Sequence, residues 1–136
     1  MATTTATINI ASADLTDNAL NISNTATLNK KGNLEGLDTI ISATKTFTSD
    51  SVVDLLPIAG FQGDASVKVY IANTGTSESD YFTIGIDDEE IGRLYGGDWM
   101  FMPWNANDDG TDANDDDITI KPSVSTAMTA EYIVFS

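Results

Sequence analysis

The feature that most constrains this chain is a rhythm of short β-rich runs, each broken by Gly, Asn, Asp or Ser, with few segments at the helical period. In the centre, Val67, Val69 and Ile71 alternate with Lys68 and Tyr70, and Phe82, Ile84 and Ile86 alternate with Thr83 and Gly85. A period of two sends one set inward and the other outward, so both segments are expected to be half-buried antiparallel strands. Between them, Asn73-Thr74-Gly75-Thr76-Ser77 predicts a turn with a residue able to take positive φ, and Asp87-Asp88-Glu89-Glu90 a charged connection into Ile91-Gly92-Arg93-Leu94. Thr3 to Ile10 is β-branched with Ile8 and Ile10 on one face. Ala19 to Ser23 and Thr25 to Asn29 are expected as two strands separated by a Ser23-Asn24 turn, with 31–36 as a loop. Leu37 to Thr48 contains a further strand, its start left open between strand and extended loop over 38–43, and Asp98 to Trp104, Asp117 to Lys121 and Glu131 to Phe135 complete the set. Nine or ten strands without interleaved helices predict an all-β, antiparallel sandwich or barrel, with a jelly roll as the expected topology.

A length of 136 residues is about one domain's worth and closes one core without metal or disulfide help. Hydrophobic residues make up 41% of the chain, too many for a disordered acidic tail, and there is no cysteine to form disulfides, thiol nucleophiles or thiolate metal sites. The organisation expected is an N-terminal arm over 1–12 and a single sandwich domain over 13–136.

The charge balance excludes several partners. Asp and Glu number 21 against 6 Lys and Arg, with no His, for a formal net charge of -15. Phosphate neutralisation requires a basic face, and Lys30, Lys31, Lys45, Lys68, Arg93 and Lys121 are too dispersed to build one, so binding to nucleic acid or to an anionic membrane is not expected. The first basic residue is Lys30 and the opening is Thr-rich and polar, unlike a secretory signal, and no run approaches a membrane span. The expectation is a soluble product made in the cytoplasm of its host without a signal peptide.

Two segments carry candidate chemistry. In the run from Asn105 to Asp116, oxygen side chains fall at Asn105, Asn107, Asp109 and Thr111, Gly110 holds the sixth place and Asp116 the twelfth, a spacing that wraps a short loop around a hard cation such as calcium. Asn at the first position, Asp112 where an apolar residue is usual, and strand-like flanks depart from the helix-loop-helix calcium motif. An acidic hairpin loop kept in solvent explains the same composition. The second segment is Tyr95 to Trp104, in which Trp99, Phe101 and Pro103 lie on one face of a strand and Met100, Met102 and Trp104 on the other. A strand apolar on both faces belongs either in the centre of a covered sheet or at a subunit interface. A sugar-stacking platform would instead need Trp99 or Trp104 at the surface.

Catalysis is not expected. Without His or Cys only carboxylate or Lys chemistry remains, the carboxylates are too numerous for any pair to be informative, and Gly96-Gly97 is not followed by a phosphate-cradling helix.

Four stretches carry a resemblance: the opening Thr3-Thr4-Thr5-Ala6-Thr7-Ile8, the run Ala26-Thr27-Leu28-Asn29-Lys30, the segment Gly96-Gly97-Asp98-Trp99-Met100-Phe101-Met102-Pro103-Trp104, and the ending Glu131-Tyr132-Ile133-Val134-Phe135. In them the chain resembles small virion structural proteins of tailed bacteriophages, particularly the head decoration or cement proteins of marine and cyanobacterial phages. The resemblance implies an all-β protein on the capsid exterior, often a homotrimer, that sits across major capsid protein subunits and has no active site. Cementing requires strand pairing or apolar contact between subunits. Thr5, Thr7, Ile8 and Ile10 in the arm and Trp99, Phe101 and Trp104 in the two-faced strand are the candidate interface residues. A tail or fibre component and a carbohydrate-binding or adhesion module are the alternatives.

Overall fold

The computed structural model describes residues 3–15, 17–31, 35–61, 67–87, 89–106 and 116–136. They are nearly all strand, with one 3-10 turn at Ile58–Gly60. The chain divides into two compact units, Met1–Asp38 and Thr39–Ser136. The expected boundary at residue 12 therefore falls inside the first unit.

The first unit is a three-stranded antiparallel sheet of β1 (Thr4–Ser12), β2 (Leu20–Lys31) and the two-residue β3 (Glu35–Gly36), in that order. β1 and β2 pair without a register break from Thr4↔Leu28 to Ser12↔Leu20. The Ser23-Asn24 turn expected from sequence is not formed: both residues sit in mid-strand, opposite Asn9 and Ile8. Pairing β1 with the strand next in sequence closes only a short loop, which costs less entropy than recruiting another chain. One hydrogen-bonding edge of the presumed arm is thus occupied within its own chain.

The second unit holds two four-stranded antiparallel sheets. The first contains β4 (Ile40–Phe47), β6 (Val67–Asn73), β9 (Trp99–Trp104) and β11 (Met128–Phe135), in the order β4-β11-β6-β9. The second contains β5 (Val53–Leu56), β7 (Tyr81–Ile86), β8 (Glu89–Tyr95) and β10 (Ile118–Pro122), in the order β5-β10-β7-β8. The pairings are nested: β7 with β8, β6 with β9, β5 with β10 and β4 with β11. The midpoint between partners stays within about two residues of Asp87 in all four, as for one long hairpin folded over into two layers. At its tip, Asp87 adopts φ 53°, a left-handed conformation that an Asp tolerates better than a branched residue, and its N–H donates to the Asp117 carbonyl at 3.0 Å.

The period of two seen in the sequence is what closes the core. Val67, Val69 and Ile71 of β6 face Phe82 and Ile84 of β7 and Ile118 and Ile120 of β10 in one apolar cluster, all fully buried. Each such side chain contributes about 1.5–3 kcal/mol on leaving water. Phe47 packs edge-on against Phe82, ring centroids 5.5 Å apart. β5 was not foreseen. Its register against β10 shifts between Ile118 and Thr119, so Leu55 and Leu56 are both buried and the alternation that marks a strand is lost.

One corner fixes where the chain changes sheets between β8 and β9. Tyr95-Gly96-Gly97-Asp98 is a tight turn: the Asp98 N–H donates to the Tyr95 carbonyl at 2.9 Å, with Gly97 at φ 88°. A side chain at Gly96 would place its Cβ 2.6 Å from the Ser77 carbonyl oxygen. Asn73 is the hub of this corner. Its side-chain amide donates to the Leu94 carbonyl at 2.9 Å and its Oδ1 accepts the Gly75 N–H at 2.9 Å, while its backbone bonds Asp98 and Gly97. Positive φ is found at Gly97, and not at Gly75, which the side chain of Asn73 holds instead.

Candidate functional site

The two sandwich sheets present very different outer faces. On β4-β11-β6-β9 the residues that alternate with the core form three cross-strand rows. The first row is Trp99, Ala72, Glu131 and Thr44; the second is Phe101, Tyr70, Ile133 and Ser42; the third is Pro103, Lys68, Phe135 and Ile40. Seven of the twelve are large apolar or aromatic residues or proline, and two are charged, one of each sign. Trp99 is 53% exposed and Phe101 37%, and Ile40 is exposed at the far edge. Tyr70 and Trp99 lie with ring centroids 6.0 Å apart and planes inclined by 32°. Burial among these neighbours pushes the Lys68 ammonium pKa below its ordinary value.

The outer face of β5-β10-β7-β8 is built from polar pairs. Arg93 donates to Glu90 at 2.8 Å and lies over the Tyr81 ring at 4.9 Å, Thr83, Thr119 and Lys121 fill the neighbouring positions, and Tyr81 and Tyr95 add one aromatic pair with ring centroids 5.1 Å apart. Glu90 raises the Arg93 pKa first through that hydrogen bond and then through its charge. An exposed ion pair of this kind contributes little to stability. The unlike faces mean that the aromatic face is not the general state of this surface.

The β1–β2 ribbon is also two-faced. Opposite residues share a face, so Thr4, Ala6, Ile8, Ile10 and Ser12 align with Leu28, Ala26, Asn24, Ile22 and Leu20. Thr5, Thr7, Asn9 and Ala11 align with Thr27, Thr25, Ser23 and Asn21 on the other side, where the Thr7 and Thr25 hydroxyls bond at 2.8 Å. Ile8, Ile10 and Ile22 are each more than 40% exposed. A two-stranded ribbon gains little stability alone, and this one holds these three isoleucines in solvent although Leu28 on the same face is buried.

The expected interface residues are therefore sorted onto different surfaces. Ile8 and Ile10 share the apolar ribbon face, whereas Thr5 and Thr7 lie on the polar one. Trp99 and Phe101 stand together on the sheet. Trp104 is a core residue: it is 2% exposed, packs edge-on against Phe61 at 5.4 Å and donates its indole N–H to the Asp116 carbonyl at 2.7 Å. Strand β9 lies at the edge of its sheet rather than in the centre, and Pro103 suits such an edge because it has no N–H to offer. The neighbours Tyr70, Ile133 and Phe135 were not singled out from sequence as interface residues, since their placement beside Phe101 depends on pairings between strands far apart in the chain.

Of the calcium-type spacing, Asn107, Asp109 and Thr111 lie outside the described residues, while Asn105 is exposed and Asp116 half-buried. A hollow of about 440 Å³ opens beside the corner, lined by Asn73, Thr74, Ser77, Asp80, Met128 and Thr129 among others. Its polar side chains bond within the protein: Thr74 donates to the Thr129 carbonyl at 3.0 Å, and the Ser77 hydroxyl accepts the Asp80 N–H at 3.1 Å. Searches against protein-family models, curated proteins and solved structures return no match for this chain.

Proposed function

We propose that this chain is a non-enzymatic virion structural protein of the capsid-decoration type, which binds across major capsid protein subunits on the head exterior and turns its acidic remainder to solvent. The observation that carries the reading is the nearly uncharged aromatic face on β4-β11-β6-β9 of a chain with net charge -15. Such a face costs free energy in water and is expected where another protein covers it. The nested strand order supports a jelly roll, an architecture found in viral capsid and lectin domains. It supports the class of protein, since fold alone does not carry function. The resemblance of the Thr-rich opening and the Gly96 to Trp104 segment supplies the virion context. Homo-oligomerisation, with three copies favoured by the same resemblance, belongs to the reading. The test is co-sedimentation of the purified chain with empty heads of the virus that encodes it. Saturable binding, lost in Phe101→Asp, is expected; failure to co-sediment overturns the proposal.

A carbohydrate-binding module is the second reading, favoured by one observation: Trp99 is half-exposed beside Tyr70, as a sugar-stacking ring would be. Quenching or shifting of Trp99 emission by an oligosaccharide, absent in Trp99→Ser, would support it over the capsid reading.

A further inference from the structure

We propose that the occupant of the aromatic sheet face is the β1–β2 ribbon of a second copy of this chain, each copy giving one ribbon and receiving another. The inference deepens the assembly half of the preceding reading: the ribbon covers this face in solution, and on the head the capsid surface takes the ribbon's place.

Charge carries the first step. Two copies, each at -15, repel, and the repulsion is least where the touching surfaces hold no net charge. The apolar ribbon face has ten paired positions from Thr4↔Leu28 to Ser12↔Leu20, and none of them is ionisable. The sheet face has Glu131 and Lys68, which cancel. Both surfaces are thus neutral, as is the polar face of the ribbon, and of the three these two are also the apolar ones.

Size carries the second. Strands about 4.8 Å apart, with same-face residues about 6.6 Å apart, give each position a footprint of about 32 Å². Leu28 and Ala72 are already buried, so nine ribbon positions offer about 290 Å² and eleven sheet positions about 350 Å², and the two faces are of similar size. Each contact therefore commits about 300–350 Å² per partner, under half of the roughly 800 Å² of a standard interface and in the range of a weak one, and a copy that gives one ribbon and receives another makes two such contacts. A ribbon alone is marginal in water, and covering Ile8, Ile10 and Ile22 removes its chief liability.

The faces are different patches, so the contact is head to tail and can be reconstituted from two damaged copies. The experiment is light scattering after size exclusion in about 150 mM salt, at about 100 µM chain. The unmodified chain is expected at a multiple of its 14.5 kDa mass. Ile10→Asp with Ile22→Asp spoils the ribbon, because the two residues face each other across the strands, and Phe101→Asp spoils the sheet face. Each variant is expected at the mass of one chain. Mixed, they should give a two-chain species, since one intact ribbon then meets one intact sheet face. Thr7→Asp with Thr25→Asp adds the same charge to the polar side of the ribbon and should leave the mass of the parent chain unchanged. Circular dichroism establishes folding, and Ile22→Asn and Phe101→Ser serve in place of any variant that fails it. A monomeric parent chain overturns the inference. An unchanged mass in either face variant, or no complex on mixing, overturns it equally. Head binding reports separately: a chain that co-sediments with heads but is monomeric in solution loses this inference and keeps the capsid reading, and the reverse result does the opposite.

Discussion

Asn73→Ala is the substitution with the widest structural reach per atom removed. Asn73 is 3% exposed, and its side chain joins β6 to β8 through the Leu94 carbonyl and to its own following turn through the Gly75 N–H, both at 2.9 Å. Alanine removes both partners at once. The Leu94 carbonyl is buried and loses its partner at a cost of about 1–3 kcal/mol, whereas the Gly75 N–H is closer to solvent and loses about 0.5–1.5 kcal/mol. The expected destabilisation is about 3 kcal/mol, or about 12–24 °C in Tm for a unit of this size. Urea unfolding followed by tryptophan emission reads the change, because Trp99 and Trp104 both lie in the strand that the corner holds. Asn73→Asp tests the donor separately. A carboxyl buried against a carbonyl is held protonated, so its pKa is raised in the folded state; stability is then present below the ordinary Asp range and lost as pH rises through the raised pKa. Asn73→Asp is accordingly expected to approach the parent stability at pH 4 and fall well below it at pH 7. A loss under about 1 kcal/mol in Asn73→Ala, or a pH-independent Asn73→Asp, would refute the assignment of Asn73 as the hub.

Four further outcomes are expected. Phe82→Ala, at a fully buried site packed edge-on against Phe47, should cost about 3–5 kcal/mol by urea unfolding. Gly96→Ala drives a Cβ to 2.6 Å from the Ser77 oxygen and should cost about 1–3 kcal/mol, with faster amide exchange at Gly97. Asp87→Val forces a branched residue into φ 53° and should lose about 1–2 kcal/mol, while Asp87→Gly keeps or raises Tm. In Trp99→Phe the remaining emission belongs to Trp104 and should be blue-shifted and shielded from acrylamide, a neutral quencher that the acidic surface does not repel.

The strands that line the core were legible in the sequence because burial on one face imposes alternation: Val67, Val69 and Ile71, and Phe82, Ile84 and Ile86, read as they fold. Where no core dictates the pattern, it fails. β2 is one strand of twelve residues, but Ser23 and Asn24 lie in an exposed ribbon and carry a turn-like composition without making a turn. β5 escaped for the opposite reason, since a bulge buries Leu55 and Leu56 in succession. The two-faced character of Trp99 to Trp104 was visible, yet with apolar residues on both sides nothing local decides which side turns inward. That choice is made by the register against Val67 to Ala72, which places Trp104 in the core and Trp99 in water.

The hairpin-like nesting also sets an order on the making of the protein. β4 has β11 as its strand neighbour, so Ile40 to Phe47 leave the ribosome about 80 residues before Met128 to Phe135 are synthesised, a wait of roughly 4–16 s at ordinary translation rates. The innermost pair, β7 with β8, can close almost as soon as it is made, and the outermost must wait longest. During that interval the edge of β4 and the apolar side chains of β5 and β6 stand without their later partners. The high negative charge then acts as a guard, holding nascent copies apart while those apolar side chains wait for the last strand.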